Sequence, residues 1–292
     1  MLGIGVVEGQ TFVDCDFQGF FVFKTQMVIK GCSFEGCDLA LTTWENVKFS
    51  SCTFRRSSIG QTTFRRCEFR QCHWEDIGFS SNETSFEHVL VTNPENLVAS
   101  AYTNLDPQIL STKGITPQYQ LYKLEGTRST IARLLLRNLQ DVGDEQTYYQ
   151  AVKVFELHQA KARWSQAWYE FKFDKQKSRL RSAISAGLWF ADQTILRLFG
   201  ALNGWGASVA RPLSILVGTI FVFAMIYALL DRPEDDNPLL RSFDIAVLAG
   251  YTNYGSASGF ILFLQAFQLS LSVILYTVGF ATIVSRFSRV RG

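Results

Sequence analysis

The sequence predicts a β + α membrane protein: an N-terminal β-solenoid, a helical hairpin, then two membrane-spanning helices separated by a shorter helix and loop. Three observations predict it. A large apolar residue recurs at every fifth position from Phe34 to Phe79. Apolar residues between 127 and 168 follow a helical period. Beyond Arg211, two stretches of 19 and 41 residues carry no charge. The composition agrees, with 47% apolar and only 18% charged residues, so apolar side chains are concentrated somewhere, and 25 Phe exclude disorder.

The solenoid comes first. Phe34, Leu39, Trp44, Phe49, Phe54, Ile59, Phe64, Phe69, Trp74 and Phe79 are spaced by five, and two residues before each stands a mostly small residue, often Cys. An earlier stretch with Phe12, Phe17 and Val22 is displaced by two residues before Ile29 restores the register. Period five suits neither a helix nor a flat strand, but it suits a coil whose five-residue sides each turn one large and one small side chain inward. Cys32, Cys37, Cys52, Cys67 and Cys72 belong to this repeat, so their spacing reflects packing rather than zinc, redox or disulfide chemistry. No metal site and no cofactor is expected.

These residues resemble the pentapeptide-repeat family over about residues 10–80. The resemblance implies a right-handed quadrilateral β-helix with twenty residues per coil, here about three and a half coils. Phe34, Phe54 and Trp74 then form one interior column, Leu39, Ile59 and Phe79 another, and Cys32, Cys52 and Cys72 a stack of buried thiols. Glu35, Arg55 and Glu75 share an outer face as a charge ladder, and the Arg55-Arg56 and Arg65-Arg66 pairs are read as solvated. Some members of that family mimic DNA and bind gyrase; mixed charge and fusion to membrane segments depart from that pattern. The first 126 residues have net charge −4 and the remainder +6. Neither value suits a nucleic-acid partner.

Residues 91–126 read as a linker punctuated by Asn93-Pro94, Asp106-Pro107 and Thr116-Pro117. Ser129 or Thr130 is placed to cap a helix carrying Ile131, Leu134, Leu135 and Leu139; Gly143-Asp144 ends it, and a second helix runs from Glu145 past Trp168. The pair resembles a tetratricopeptide-like hairpin, read as an adaptor within 127–181 rather than a peptide-binding groove. A basic run follows with Lys172, Lys175, Lys177, Arg179 and Arg181. Residues 182–211 are apolar but interrupted by Asp192 and Arg197, as in an amphipathic helix lying at an anionic membrane surface.

Pro212 to Leu230 holds 19 uncharged residues, about 28 Å of helix, enough for the hydrocarbon core. Ile245 to Ser285 is too long for one span and is broken by Gly250, Gly255 and Gly259. It divides into a short helix begun by Asn237-Pro238, a Gly/Tyr loop, and a long helix from Gly259 to Ser285. Seven basic residues between Lys172 and Arg211, with Arg286, Arg289 and Arg291 after the last span, place both termini in the cytoplasm. The N-terminus shows no basic region followed by an apolar core, so no cleavable signal peptide is expected. The localisation expected is a bacterial inner membrane, multi-pass.

The stretch Ser242 to Gly255 resembles the re-entrant loop of two-span potassium-channel-like proteins, whose Thr-x-Gly-Tyr-Gly run forms a filter from backbone carbonyls. Thr252-Asn253-Tyr254-Gly255 keeps the Thr and the Tyr-Gly; the first filter glycine is missing and Ser256 stands where Asp is usual. The resemblance covers about residues 212–285 and implies a filter at Gly250, Tyr251, Thr252, Asn253, Tyr254 and Gly255. On the last helix Gln265, Gln268, Ser272, Tyr276, Gly279 and Ile283 fall within an arc of about 80° and are read as lining a water path, with interhelical packing as the alternative.

The function expected is an oligomeric ion channel, a homotetramer favoured, cation-permeable and weakly selective, with residues 1–90 assembling or regulating it. The partners are further copies of the chain, the bilayer, permeating ions and a cytoplasmic protein. Two alternatives stand: a non-conducting membrane-anchored scaffold, and a stress or anti-phage effector that depolarises the membrane. No P-loop or nucleophile–base motif suggests an enzyme, and no catalytic residue is assigned. In intact cells, a cysteine at Asn237 should react with an impermeant maleimide and one at Gly292 should not; the reverse pattern would invert the topology.

Overall fold

The computed structural model describes residues 5–22, 26–79, 83–103, 107–112, 114–142, 145–173, 179–230, 237–248 and 259–290. The chain divides into two compact units, Met1–Leu196 and Arg197–Gly292. In the first unit the strands are β1 (Gly5–Glu8), β2 (Thr11–Val13), β3 (Phe21–Val22), β4 (Met27–Lys30), β5 (Ser33–Glu35), β6 (Thr43–Glu45) and β7 (Val47–Ser50). They continue as β8 (Thr53–Arg55), β9 (Thr63–Arg65), β10 (Glu68–Arg70), β11 (His73–Glu75), β12 (Ser85–Glu87) and β13 (Leu90–Val91).

These strands build three parallel sheets, ordered β1-β4-β7-β10-β13, β11-β8-β5-β2 and β12-β9-β6-β3. A fourth side is a row of single bridges, Asp16 to Asp38 to Ser58 to Gly78. The result is a four-sided β-solenoid of about four turns, in which every strand pairs with its counterpart one coil away.

Corners make the coil possible. Gly31, Gly36, Leu41, Asn46, Ser51, Arg56, Gln61, Arg66, Gln71 and Asp76 all have positive φ, between 47° and 65°. Their spacing is again five. A non-glycine residue in this region costs about 1–2 kcal/mol, so the solenoid carries a recurrent local strain. Backbone hydrogen bonds along the axis offset it: the amides of Gly31, Gly36, Asn46, Ser51, Arg56 and Arg66 each donate to a carbonyl of the next coil at 2.8–3.0 Å.

The interior follows the expected columns. Phe34 stacks on Phe54 at 4.9 Å and Phe54 on Trp74 at 4.3 Å; Phe49 stacks on Phe69 at 4.7 Å. The small inward residues have a polar task as well. Several donate to a main-chain carbonyl of the preceding coil: Cys52 to Ile29 (3.3 Å), Cys67 to Trp44 (3.2 Å), Ser57 to Phe34 (3.2 Å) and Thr62 to Leu39 (2.6 Å). Cys, Ser and Thr therefore fill a narrow slot while satisfying an inward-facing acceptor. Burial pushes the Cys67 thiol up to about 11, and burial likewise raises Cys37.

Outside, both arginine pairs are absorbed in exposed ladders. Arg55 meets Glu75 at 2.8 Å, Arg65 meets Glu87 at 2.7 Å, Arg56 reaches back to Glu35 at 2.6 Å, and Arg66 pairs with Glu45. Such pairs contribute little individually.

The five-residue register read from the sequence stops at Phe79, but the structure carries the solenoid on through β12 and β13 to Val91. Partners are 20 residues apart in the middle coils, as for Phe34 and Phe54, but 22 apart for Phe12 with Phe34 and for Phe64 with Phe86. Two extra residues between Gly78 and Ser85 displace the register without ending the solenoid. Phe86 stacks on Phe64 at 5.6 Å, and Ile77 bridges to Ala101.

Helices close this end. Residues 91–126 hold α1 (Pro94–Ala99), α2 (Pro107–Thr112) and the start of α3 (Pro117–Val142), which pairs with α4 (Glu145–Phe173). The Asn-Pro and Thr-Pro pairs are helix starts, with Asn93 accepting from Asn96 N–H (3.1 Å) and Thr116 from Tyr119 N–H (3.3 Å). Ser129 and Thr130 lie inside α3 rather than capping it, because nothing from Pro117 onward breaks the helix; the Thr130 hydroxyl bonds the Gly126 carbonyl at 3.0 Å. Leu97, Val98, Leu124, Ile131, Leu135 and Val154 extend the solenoid core into these helices. Exposed strand edges invite unwanted pairing, and polar side chains quench this one: Asn96 accepts from Trp74 N–H at 3.0 Å, and Asn138 from Val89 N–H at 3.4 Å.

Buried Glu125 ties the hairpin together, receiving Arg128 at 3.0 Å and His158 at 3.3 Å. Burial alone would raise its carboxyl, but the His158 hydrogen bond and the Arg128 charge outweigh it and hold it below the ordinary carboxylate range. Its stabilising share is thus present above that range and fades as pH falls through the depressed value.

Phe54→Ala should destabilise the solenoid by about 3–5 kcal/mol, measured by thermal unfolding. In the native protein the five buried thiols should resist a bulky maleimide; fast labelling of Cys32, Cys52 or Cys72 would contradict the stacking.

Candidate functional site

The second unit contains the end of α5 (Arg179–Asn203), followed by α6 (Ala210–Leu230), α7 (Pro238–Leu248) and α8 (Gly259–Val290). The α6 helix and the Gly259–Ser285 part of α8 are long and apolar enough to cross a membrane. With 21 residues α6 is about 31 Å long, whereas the 11 residues of α7 reach only about 16 Å, half a hydrocarbon core. Asn237 caps α7 by accepting from Leu239 N–H at 3.0 Å, and Pro238 takes the first helical position.

A buried polar chain joins the three helices. The Tyr227 hydroxyl on α6 donates to Gln268 Oε1 on α8 at 2.8 Å. Gln268 Nε2 donates to both the Ser242 carbonyl and its Oγ on α7, each at 2.8 Å, and Ser242 Oγ donates back to the Ile220 carbonyl of α6 at 2.7 Å. Buried Arg241 places its guanidinium 5.1 Å from the Tyr227 ring centre, a cation–π contact in an apolar setting. Around this chain pack Phe223, Ile245, Leu264 and Leu269.

The expected polar stripe of α8 divides. Gln268 and Ser272 are fully buried and Gly279 is buried, with Pro212 3.8 Å from where a Cβ would sit. Tyr276 is 39% exposed, and Gln265 and Ile283 are half-buried at the margin. Gln268, expected on a water-facing surface, instead spends its amide within the chain. Among the described residues Gln265 Nε2 and Ser272 Oγ have no hydrogen-bond partner. Gly250, Tyr251, Thr252, Asn253, Tyr254 and Gly255 lie outside the described residues, as do Lys175, Lys177, Arg291 and the acidic stretch 231–236.

Sequence reasoning did not find Tyr227, Arg241 or Ser242 as partners of this site. A signal existed in Arg241-Ser242, two polar residues shortly before the 41-residue uncharged stretch that begins at Ile245. Near the other end of α8, Asn203 donates to Thr282 Oγ1 at 3.3 Å, and Gly200 is required because any Cβ there would strike the Trp205 ring.

Comparison with known proteins addresses the solenoid. A family model for pentapeptide repeats matches nine copies over residues 29–75. Residues 29–75 are pentapeptide repeats. The pentapeptide-repeat match ends there, well before the hairpin and α6–α8, and no curated protein matches the chain. Among solved structures, a trypsin-treated QnrB1, a plasmid-mediated fluoroquinolone resistance protein, is 22% identical with a TM-score of 0.16. That overlay covers 30% of this chain and 57% of QnrB1, so the chain spans little more than half the length of that protein. The pentapeptide-repeat protein Rfr23 of the cyanobacterium Cyanothece 51142 is 8% identical over 28% of this chain and 86% of its own, with a TM-score of 0.11. At such TM-scores these overlays carry no functional weight.

Tyr227→Phe should cost about 1 kcal/mol and Gln268→Leu about 2–3 kcal/mol, because the former removes one hydrogen bond of the Gln268 amide and the latter all three. Unfolding in detergent measures both. A Gln268→Leu loss no larger than that of Tyr227→Phe would remove Gln268 as the hub.

Proposed function

We propose that the chain is one subunit of an oligomeric cation channel, a tetramer favoured, in a bacterial inner membrane with both termini cytoplasmic. The observation that carries this reading is α7: a half-length helix between two span-length helices, hydrogen-bonded to both. A short helix at membrane depth is tolerated where protein or water surrounds it. One copy, with two spans and one half-helix, encloses no pore, so further copies are required.

The α7 dipole supports cations. Its capped N-terminus leaves about half a negative elementary charge at the other end, next to the segment 249–258 that we assign to the filter. Thr252, Asn253, Tyr254 and Gly255 supply the filter backbone in this reading, with weak selectivity following from the missing glycine. Tyr276, Gln265 and Ile283 line the path below, while Gln268, Ser272 and Gly279 serve as the frame. The pentapeptide-repeat unit assembles or regulates the channel, and α5, whose exposed Ile184, Leu188, Ile195, Leu198 and Phe199 share one face, lies at the membrane surface. We assign no catalytic step.

One observation favours the non-conducting scaffold instead: the Gln268 amide, the best polar lining group on α8, is already satisfied inside the chain. Planar-bilayer recording separates the two. The purified oligomer should give discrete cation currents, Asn253→Ala should change permeability ratios, and Tyr276→Ala should raise conductance or hold the channel open. An inserted oligomer that passes no current would leave the scaffold.

A further inference from the structure

The helical hairpin has an end that the channel reading leaves unexplained. Because α3 and α4 are antiparallel, the start of α3 and the finish of α4 lie together, away from Val142 and Glu145. Aromatic residues gather at that end. Tyr119 and Tyr122 on α3 meet Tyr169 on α4 with ring centres 5.6 and 5.8 Å apart, and Tyr169 continues to Phe173 at 5.1 Å. On the neighbouring face of α4, Trp164 stacks on Trp168 at 6.0 Å, and Trp168 contacts Phe171 at 5.8 Å. This is no core: Trp168 is 47% exposed, Leu121 46%, Phe173 38% and Phe171 37%.

Cations accompany the rings. Lys123 Nζ lies 5.3 Å from the Tyr119 centre and 5.8 Å from that of Tyr122, and Lys172 lies 5.5 Å from Phe173. The chain then continues with Lys175, Lys177, Arg179 and Arg181, against Glu170 and Asp174. Exposed Trp and Phe gathered beside half-buried Tyr are the chemistry of a membrane–water interface, where the ring body is apolar and the hydroxyl or indole N–H stays wet. Basic residues beside them select anionic headgroups. A patch of this kind on a soluble surface marks an interaction site.

We propose that the open end of the hairpin, formed by Tyr119, Leu121, Tyr122, Trp168, Phe171 and Phe173, is a contact surface for an anionic lipid bilayer. The proposal rests on the membrane reading of α6 and α8 and is independent of conduction.

The full chain, reconstituted in vesicles, tests it. In a Cys15→Ser background, since Cys15 is half-buried and the other native thiols are buried, nitroxides are placed through Leu121→Cys and Phe171→Cys. Controls are Gln150→Cys, exposed at the closed end, and Phe280→Cys, exposed on α8. Depth is read from collisions with oxygen against those with a water-soluble nickel chelate. In phosphatidylcholine vesicles containing phosphatidylglycerol, positions 121 and 171 should be several-fold less accessible to nickel than 150, and this protection should weaken in phosphatidylcholine alone. Nickel access at 121 and 171 equal to that at 150, with 280 in hydrocarbon, overturns the proposal. Protection that is independent of phosphatidylglycerol removes the anionic selectivity and overturns it too. Protection that persists in detergent and grows with protein concentration assigns the surface to another chain and overturns the lipid. Nickel access at 280 would instead defeat the membrane reading itself.

Discussion

A chain that turns a corner every five residues must place a left-handed backbone conformation at each corner, and the pentapeptide-repeat unit depends on this. From Gly31 to Asp76 the ten corners share it, eight of them without glycine. The strain is tolerable because the corner geometry sends amides along the axis to the next coil. The same alignment stacks Phe34, Phe54 and Trp74 in register and brings inward thiols and hydroxyls such as Cys52 and Ser57 to a carbonyl of the coil before. Strain, ring stacking and thiol burial are therefore one arrangement viewed at three positions of the repeat.

Such a coil has no natural end, because its last strands offer unpaired amides and an open apolar cross-section. The helices meet both needs. Leu97, Leu124, Ile131 and Leu135 cover the cross-section, while Asn96 and Asn138 supply the acceptors that another coil would have supplied. Arg128 adds to the closure, donating to the Ala99 and Ala101 carbonyls from a position also bonded to Glu125. In the second unit the same economy appears on a smaller scale, where Gln268 satisfies groups from two neighbouring helices at once.

The large interior residues were legible because period five is a strict signal over ten repeats, and the two long apolar helices because each fills a long uncharged stretch. The start of α7 was legible too, since Asn237-Pro238 combines a capping side chain with a residue preset for the first turn. The corners were not: Leu41, Arg56 and Gln71 have no side-chain chemistry in common, and only the backbone reveals what they share. The coil holding Phe86 was hidden by two added residues, which moved it out of phase with Phe79. Gln268 escaped for another reason. A helical wheel says which residues share a face; Tyr227 and Ser242, on other helices, decide what that face meets.

The unequal coil lengths have a mechanical consequence. Partners 20 residues apart in the middle are flanked on both sides by partners 22 apart. One whole regular coil could be gained or lost between them with a rise of about 4.8 Å and no change of heading. Five residues would instead swing the helical cap through a quarter turn around the axis. The solenoid is thus graduated: length in multiples of twenty sets its reach and any remainder sets its bearing.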